Sequence, residues 1–165
     1  MLIRPEAESD HDLIRLVNEE AFGGTDEAVL VDRLRRERAV LLSLIALDGD
    51  RVVGHIMFTR LPIHASDSTI DAVALAPLAV RPDVQRRGIG SALIKDGVNR
   101  LMASGERVVI VVGEPRYYQR FGFSARIARN LSCPLSGPSF MAMELRPGAL
   151  DGVVGVVKYP AAFQV

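Results

Sequence analysis

The sequence predicts an α/β (α+β) fold, a mixed and mostly antiparallel sheet of about seven strands flanked by about four helices, on three observations. Strand-like segments follow one another as a meander between Val40 and Val80. A polar loop with two glycines and an apolar pattern at helical spacing come next. Beyond that helix, Val108-Val109-Ile110-Val111-Val112 lacks polar alternation, so both of its faces should be covered, as in the centre of an α/β sheet. A chain of 165 residues fits one domain, 1–165, with room for a sizeable core.

Each element has a local reason. Leu2-Ile3-Arg4 is a short strand ended by Pro5. Ser9, with Asp12 three places on, reads as the cap of a helix whose buried stripe is Leu13, Val17 and Ala21, with Ile14 alongside. Phe22-Gly23-Gly24 breaks that helix, and Thr25 caps a second one through Leu30 and Leu34. Its basic run of Arg33, Arg35, Arg36 and Arg38 reads as a solvated face. Residues 40–47 and 51–61 pair around Asp48-Gly49-Asp50, and after a polar loop at 64–69 the strand 70–80 extends the meander. The helix at 88–104 then crosses over to the strand 107–112, parallel to 70–80 by the right-handed rule. A short helix at 114–121 and strands from Phe123 and at 140–145 complete the core. The extension 147–165 carries an apolar stretch that docks on the sheet, covers a pocket or forms a homodimer seam.

Composition narrows the function. Lysine plus arginine equals aspartate plus glutamate at 20 each, so bulk charge gives no reason to expect a nucleic acid or membrane partner. The single cysteine, Cys133, cannot form an internal disulfide, and no tetrahedral metal set can be built around it with three scattered histidines. Met1-Leu2-Ile3-Arg4-Pro5 runs straight into charge without a signal-peptide core, and no apolar run approaches the roughly 20 residues of a membrane span. A cytoplasmic protein without metal is expected.

The stretch that carries chemistry is Gln85-Arg86-Arg87-Gly88-Ile89-Gly90-Ser91, between strand and helix. Glycines let backbone approach a ligand, and the first turn of a helix presents unpaired N–H groups with partial positive charge, so the loop suits a phosphate or pyrophosphate. A Walker loop would need Gly-Lys-Ser/Thr, and Gly90 is followed by Ser91-Ala92. A dinucleotide fingerprint would need a small residue where Leu93 stands. Gln85-x-x-Gly88-x-Gly90 instead resembles the acyl-coenzyme A pyrophosphate loop of the GNAT superfamily of N-acyltransferases; an ordinary strand-to-helix turn is the bland alternative. A second segment, Tyr118-Gln119-Arg120-Phe121-Gly122-Phe123, is similar to the Tyr-x-x-φ-Gly-Phe pattern that ends the last helix of that family. The two motifs stand in the family's order, about one crossover helix and one strand apart.

The resemblance implies a sheet splayed between the strands near 70–80 and 107–112, in a motif-bearing core at 1–146. Carried over by position, Leu78, Ala79 and Val80 would meet the pantetheine arm of acetyl-CoA, the co-substrate. Gln85, Arg86, Arg87, Gly88, Ile89, Gly90 and Ser91 would hold its pyrophosphate. The implied reaction is direct transfer of acetyl to the primary amine of a small molecule or peptide. Tyr118 falls where the family often places a general acid for the departing thiolate, while Tyr117 reads as a wall or core residue and Arg120 as a surface arginine in preference to a contact for a cofactor phosphate. The amine needs a base, since an alkyl amine keeps its proton below a pKa of about 10.4. Some relatives use a glutamate fourteen places ahead of the first glycine; that position is Ala74 here. Asp71, Glu114, Glu19, Glu20 and His55 are alternatives acting through water. Cys133 has no histidine near it in sequence, so direct transfer is preferred to an acyl-enzyme. Because Ala74 replaces the base, a non-catalytic acyl-CoA-binding or regulatory domain is the alternative function.

Overall fold

In a computed structural model, residues 1–163 are described. Strand β1 (Leu2–Pro5) leads through a 3-10 turn into α1 (His11–Phe22) and α2 (Asp26–Arg36). The meander follows as β2 (Val40–Asp48), β3 (Arg51–Ala65) and β4 (Thr69–Val80). Helix α3 (Ile89–Ala103) crosses to β5 (Val108–Val112), and α4 (Pro115–Tyr118), β6 (Leu131–Ser132), β7 (Phe140–Glu144) and β8 (Gly155–Val157) close the described chain. The sheet has eight strands, in the order β1-β2-β3-β4-β5-β7, with β8 pairing both β3 and β6. All neighbours on the main path are antiparallel except β4 and β5, the strands joined by α3.

Apolar side chains leave the sheet on two faces. On one, α3 sets Leu93 and Ile94 against Ile56, Phe58 and Leu75. The approach is close because residue 97 is glycine: a Cβ there would lie 2.3 Å from the Phe58 ring. On the other face, Ile14 and Val17 of α1 and Val31 and Leu34 of α2 meet Ile45, Val52, Met57 and Ala79. Further along that face, Leu61, Ala72, Ala74 and Ile110 are covered by Leu131, Leu150 and Val157.

The sheet parts at its centre. β4 and β5 pair only at Val73↔Val109 and Ala74↔Ile110. Beyond that, β4 stays with β3 as far as Gly54↔Val80, while β5 stays with β7 as far as Val112↔Phe140. A bulge in β4 between Leu75 and Leu78, which contains the cis peptide Ala76-Pro77, marks the divergence. The expected splay is present and opens at Leu75.

Several local expectations change. The buried residues of α1 are Ile14, Val17 and Asn18, an i, i+3, i+4 stripe, with Leu13 exposed beside it. Ser9 does not cap it; the Asp10 carboxylate accepts from the Ala7 N–H at 2.6 Å and pairs with Arg4. Thr25 is the N-cap of α2 without a side-chain cap bond. Arg35 is no solvated charge, for it spans to Glu6 at 3.0 Å. Ser124 makes only an isolated bridge to Ala142 where a strand from Phe123 is predicted. The helix predicted at 114–121 is α4 followed by a 3-10 turn at Gln119–Phe121. The extension docks on the sheet: β8 pairs with the end of β3, beyond the start of β2, and Ala162 and Phe163 join the cluster around α2. Gln164 and Val165 lie outside the described residues.

A buried polar chain ties α1 to the sheet. The Asn18 Nδ2 donates to Ile14 O and to His55 Nδ1, at 3.0 and 3.1 Å, which leaves His55 Nε2–H to donate to Ser43 Oγ at 2.9 Å. Ser43 in turn bonds the carboxylate of Glu6, which also meets Arg35 and His11. His55 is therefore a neutral structural residue, and burial pushes its pKa down to about 3. That excludes it as the base. Between about pH 6.5 and 3 the unfolded chain binds a proton that the folded one refuses, so stability falls on acidification, by up to about 1.4 kcal/mol per pH unit. We expect His55→Gln to be less stable at pH 7 but to lose less between pH 6.5 and 4.5, as measured by urea unfolding.

Candidate active site

The backbone of β4 sets up the site. Arg81 N–H donates to Val53 O at 2.9 Å, and the register continues without a shift through Val80↔Gly54, Ala79↔His55 and Leu78↔Ile56. Antiparallel pairs alternate between bonded and non-bonded, so Ala79 exchanges its hydrogen bonds with His55. Leu78 and Val80 point their N–H and C=O groups the other way, into the gap left by β5. The Val80 carbonyl accepts from Gln85 Nε2 at 3.0 Å, which folds the loop back onto the strand end.

After a 3-10 turn at Pro82–Val84, Arg86 and Gly88 take left-handed conformations with φ 65° and 81°. The glycine suits that conformation, and the arginine is strained by it. The chain then enters α3, whose first bond runs from Ala92 N–H to Gly88 O. The N–H groups of Ile89, Gly90 and Ser91 are thus without intrahelical partners and face outward, a ready anion site.

Strand and loop border a cleft of about 540 Å³. Leu78, Val80, Gln85, Arg86, Gly88, Ile89, Gly90 and Ser91 line it. Ala79 and Arg87 do not: the Ala79 side chain packs on the opposite face beside α1, and its backbone is committed to β3. The far wall is Tyr117 and Arg120, one helical turn apart on the segment that begins with α4. The Arg120 guanidinium lies 5.4 Å from the centre of the Tyr117 ring. Arg120 is exposed, as a surface arginine should be, and it also borders the cleft at a spacing of three from Tyr117.

Tyr118 sits behind Tyr117, edge-on to it with ring centres 5.0 Å apart. Its ring covers Gly113, the first residue after β5, where a Cβ would lie 2.4 Å from Cε2. Burial pushes its pKa up to about 12, so the hydroxyl is held as a neutral proton donor. None of the carboxylates proposed as bases lines the cleft. Glu20 pairs with Arg81 at 2.6 Å, Glu19 approaches Arg15 at 3.8 Å, and Glu114 accepts from the Arg116 N–H at 3.2 Å. Asp71 is exposed on β4 opposite Pro62. Ala74 itself is buried among apolar side chains, opposite Thr59, whose buried hydroxyl has no partner among the described residues. Cys133 follows β6, with its Sγ accepting from Leu135 N–H, away from the cleft lining. Among the described residues no group of three or more His, Cys, Asp or Glu could hold a metal ion, and no helix is long and apolar enough to cross a membrane.

The same architecture recurs in known proteins. The acetyltransferase (GNAT) domain family matches residues 2–126. An uncharacterized N-acetyltransferase, YhbS of Escherichia coli strain K12, is 32% identical over 166 residues, covering 99% of this chain and 98% of its own. The crystal structure of Escherichia coli YhbS in complex with CoA superposes with a TM-score of 0.91, covering 99% of this chain and 92% of that one. A GNAT acetyltransferase from Brucella melitensis, solved with acetyl-CoA, is 34% identical with a TM-score of 0.82, covering 99% of this chain and 97% of its own. With a matched family domain, a relative similar along the whole chain and a sheet parted at the family's place, this chain belongs to the GNAT family of acetyltransferases.

Proposed function

We propose that this protein moves an acetyl group from acetyl-CoA to a primary amine, by direct attack within a ternary complex. The observation that carries the reading is the gap between β4 and β5, into which Leu78 and Val80 turn backbone groups that no strand pairs. A pantetheine arm carries amides that complement such groups, so it completes the ladder β5 abandons. The gap leads to the cleft where the N–H groups of residues 89–91 and the side chain of Arg86 favour a diphosphate. The CoA and acetyl-CoA bound in the two similar crystal structures support this occupant. We read 1–165 as one acetyltransferase domain, with its motifs at 1–146 and a covering extension at 147–165, working in a reducing, cytoplasmic setting that suits its single free cysteine.

Chemistry follows from what the gap offers. Acyl transfer develops negative charge on the thioester oxygen, and the N–H turned into the gap at Leu78 is a fixed donor for it. The leaving thiolate, with a thiol pKa of about 8.5, needs a hydrogen-bond and proton donor. Tyr118, neutral and desolvated at the end of β5, fits that role. The acceptor amine loses its proton to water, since Ala74 offers no carboxylate and His55 stays locked in the core. The acceptor is a small-molecule or peptide amine.

Free-thiol release from acetyl-CoA over a panel of amines tests the reading. Tyr118→Phe is expected to lower kcat by roughly 10²-fold or more, with acetyl-CoA binding retained. Tight acetyl-CoA binding without thiol release from any amine would instead make this a non-catalytic binding domain. The pH profile carries a second expectation. The rate should climb with pH as the amine deprotonates and show no alkaline fall through pH 10, because Tyr118 keeps its proton to about pH 12. A descending limb centred near 9 would assign the acid to another group.

A further inference from the structure

We propose that the Tyr117 hydroxyl is a contact for the donor substrate, giving a hydrogen bond to its diphosphate at the first turn of α3, and that residue 90 is glycine in order to seat that hydroxyl. The inference rests on the acetyl-CoA reading above and adds a residue to it. Gly90 lies inside α3 with an ordinary helical backbone, so conformational freedom does not explain it. What explains it is one atom. A Cβ at residue 90 would stand 2.6 Å from the Tyr117 hydroxyl oxygen, whereas the next neighbours, Leu78 Cδ2 and Val80 Cγ2, lie at 3.7 and 3.8 Å, ordinary contact distances.

The phenol is fixed by its surroundings. Its ring stands edge-on to Tyr118 at 5.0 Å and to Phe121 at 5.3 Å, and the Arg120 guanidinium lies 5.4 Å from its centre. Tyr117 lines the cleft, and its hydroxyl lies against Gly90, beside the unpaired N–H groups of residues 89–91. That tip makes no hydrogen bond to any described residue. A phenylalanine would fill the same ring space, so packing does not call for the oxygen. A hydroxyl held next to an anion site donates to the anion, and hydrogen bonds to charged acceptors are the strong ones. Recognition then combines backbone N–H groups from α3 with one rigid side-chain donor from the opposite wall.

Calorimetric titration of CoA, and of ADP as a diphosphate without the pantetheine arm, tests this on the whole chain and on Tyr117→Phe, Gly90→Ala and the double variant. Tyr117→Phe should bind both ligands about tenfold more weakly. Gly90→Ala should lose at least as much, because its methyl displaces the hydroxyl. Added to Tyr117→Phe, the same methyl meets only ordinary contacts, so the double variant should bind as Tyr117→Phe does. Unchanged CoA affinity in Tyr117→Phe would overturn the contact, and an equal loss from Gly90→Ala in both backgrounds would overturn the reason for the glycine. A loss confined to CoA and absent for ADP would overturn the assignment to the diphosphate. A parent protein that binds no CoA would overturn the acetyl-CoA reading itself, whereas a parent that binds while Tyr117→Phe binds equally well would overturn Tyr117 alone. Thermal unfolding of each variant separates lost folding from lost binding.

Discussion

Everything in the site depends on the one-sided pairing of β4. A strand in the middle of a sheet normally satisfies its backbone on both edges, and a buried N–H or C=O left alone costs about 1–3 kcal/mol. β4 pairs with β3 from Thr69 to Val80 around a single bulge, yet shares only two residue pairs with β5. The polar groups of Leu78 and Val80 therefore have to be served by something other than a strand. Gln85 serves one of them, the Val80 carbonyl. Under the proposed function a ligand that brings its own amides would serve the others, and a defect in a sheet would become a binding groove.

Holding a sheet open requires that each half be anchored separately. On the β4 side, β3 runs for fifteen residues and pairs in turn with β2, β4 and β8. Arg81, at the end of β4, binds both the Val52 carbonyl and Glu20 of α1, so the strand tip is tied to a helix as well as to the sheet. On the β5 side, the five pairs with β7 and the Tyr118 ring over Gly113 hold the other lip. The polar chain from Asn18 through His55 to Glu6 keeps α1 in register beneath the same region. Those contacts commit polar groups to rigidity, which explains why His55, attractive as a base in the sequence, does not take up a proton at neutral pH.

The extension shows how coverage limits chemistry. Leu150 and Val157 close over the sheet face that carries Ala74, and Ala162 packs against the α2 cluster. A glutamate at residue 74 would be a carboxylate buried in apolar surroundings, a costly placement without a partner. The alanine is thus consistent with its neighbours, and residue 74 has no side chain that could serve as a base.

Much of this was legible in residue order. The meander, the crossover helix and the unbroken apolar strand 108–112 determine the fold class, because hydrophobic period and turn chemistry are local properties. Gln85, Gly88 and Gly90, with Tyr118 to Phe123, carry the resemblance to the family's loop and last helix for the same reason. What only the tertiary structure decided concerns direction and company. Which edge of β4 each backbone group faces follows from pairing register, which turned Ala79 inward and Leu78 and Val80 toward the gap. Whether His55 is a base or a core residue depended on Asn18 and Ser43, far from it in the chain. Gly90 looked like room for a phosphate, and it is also room for the hydroxyl of Tyr117, twenty-seven residues on. Sequence pattern fixes elements; contacts between elements, set by packing, fix what each side chain can touch.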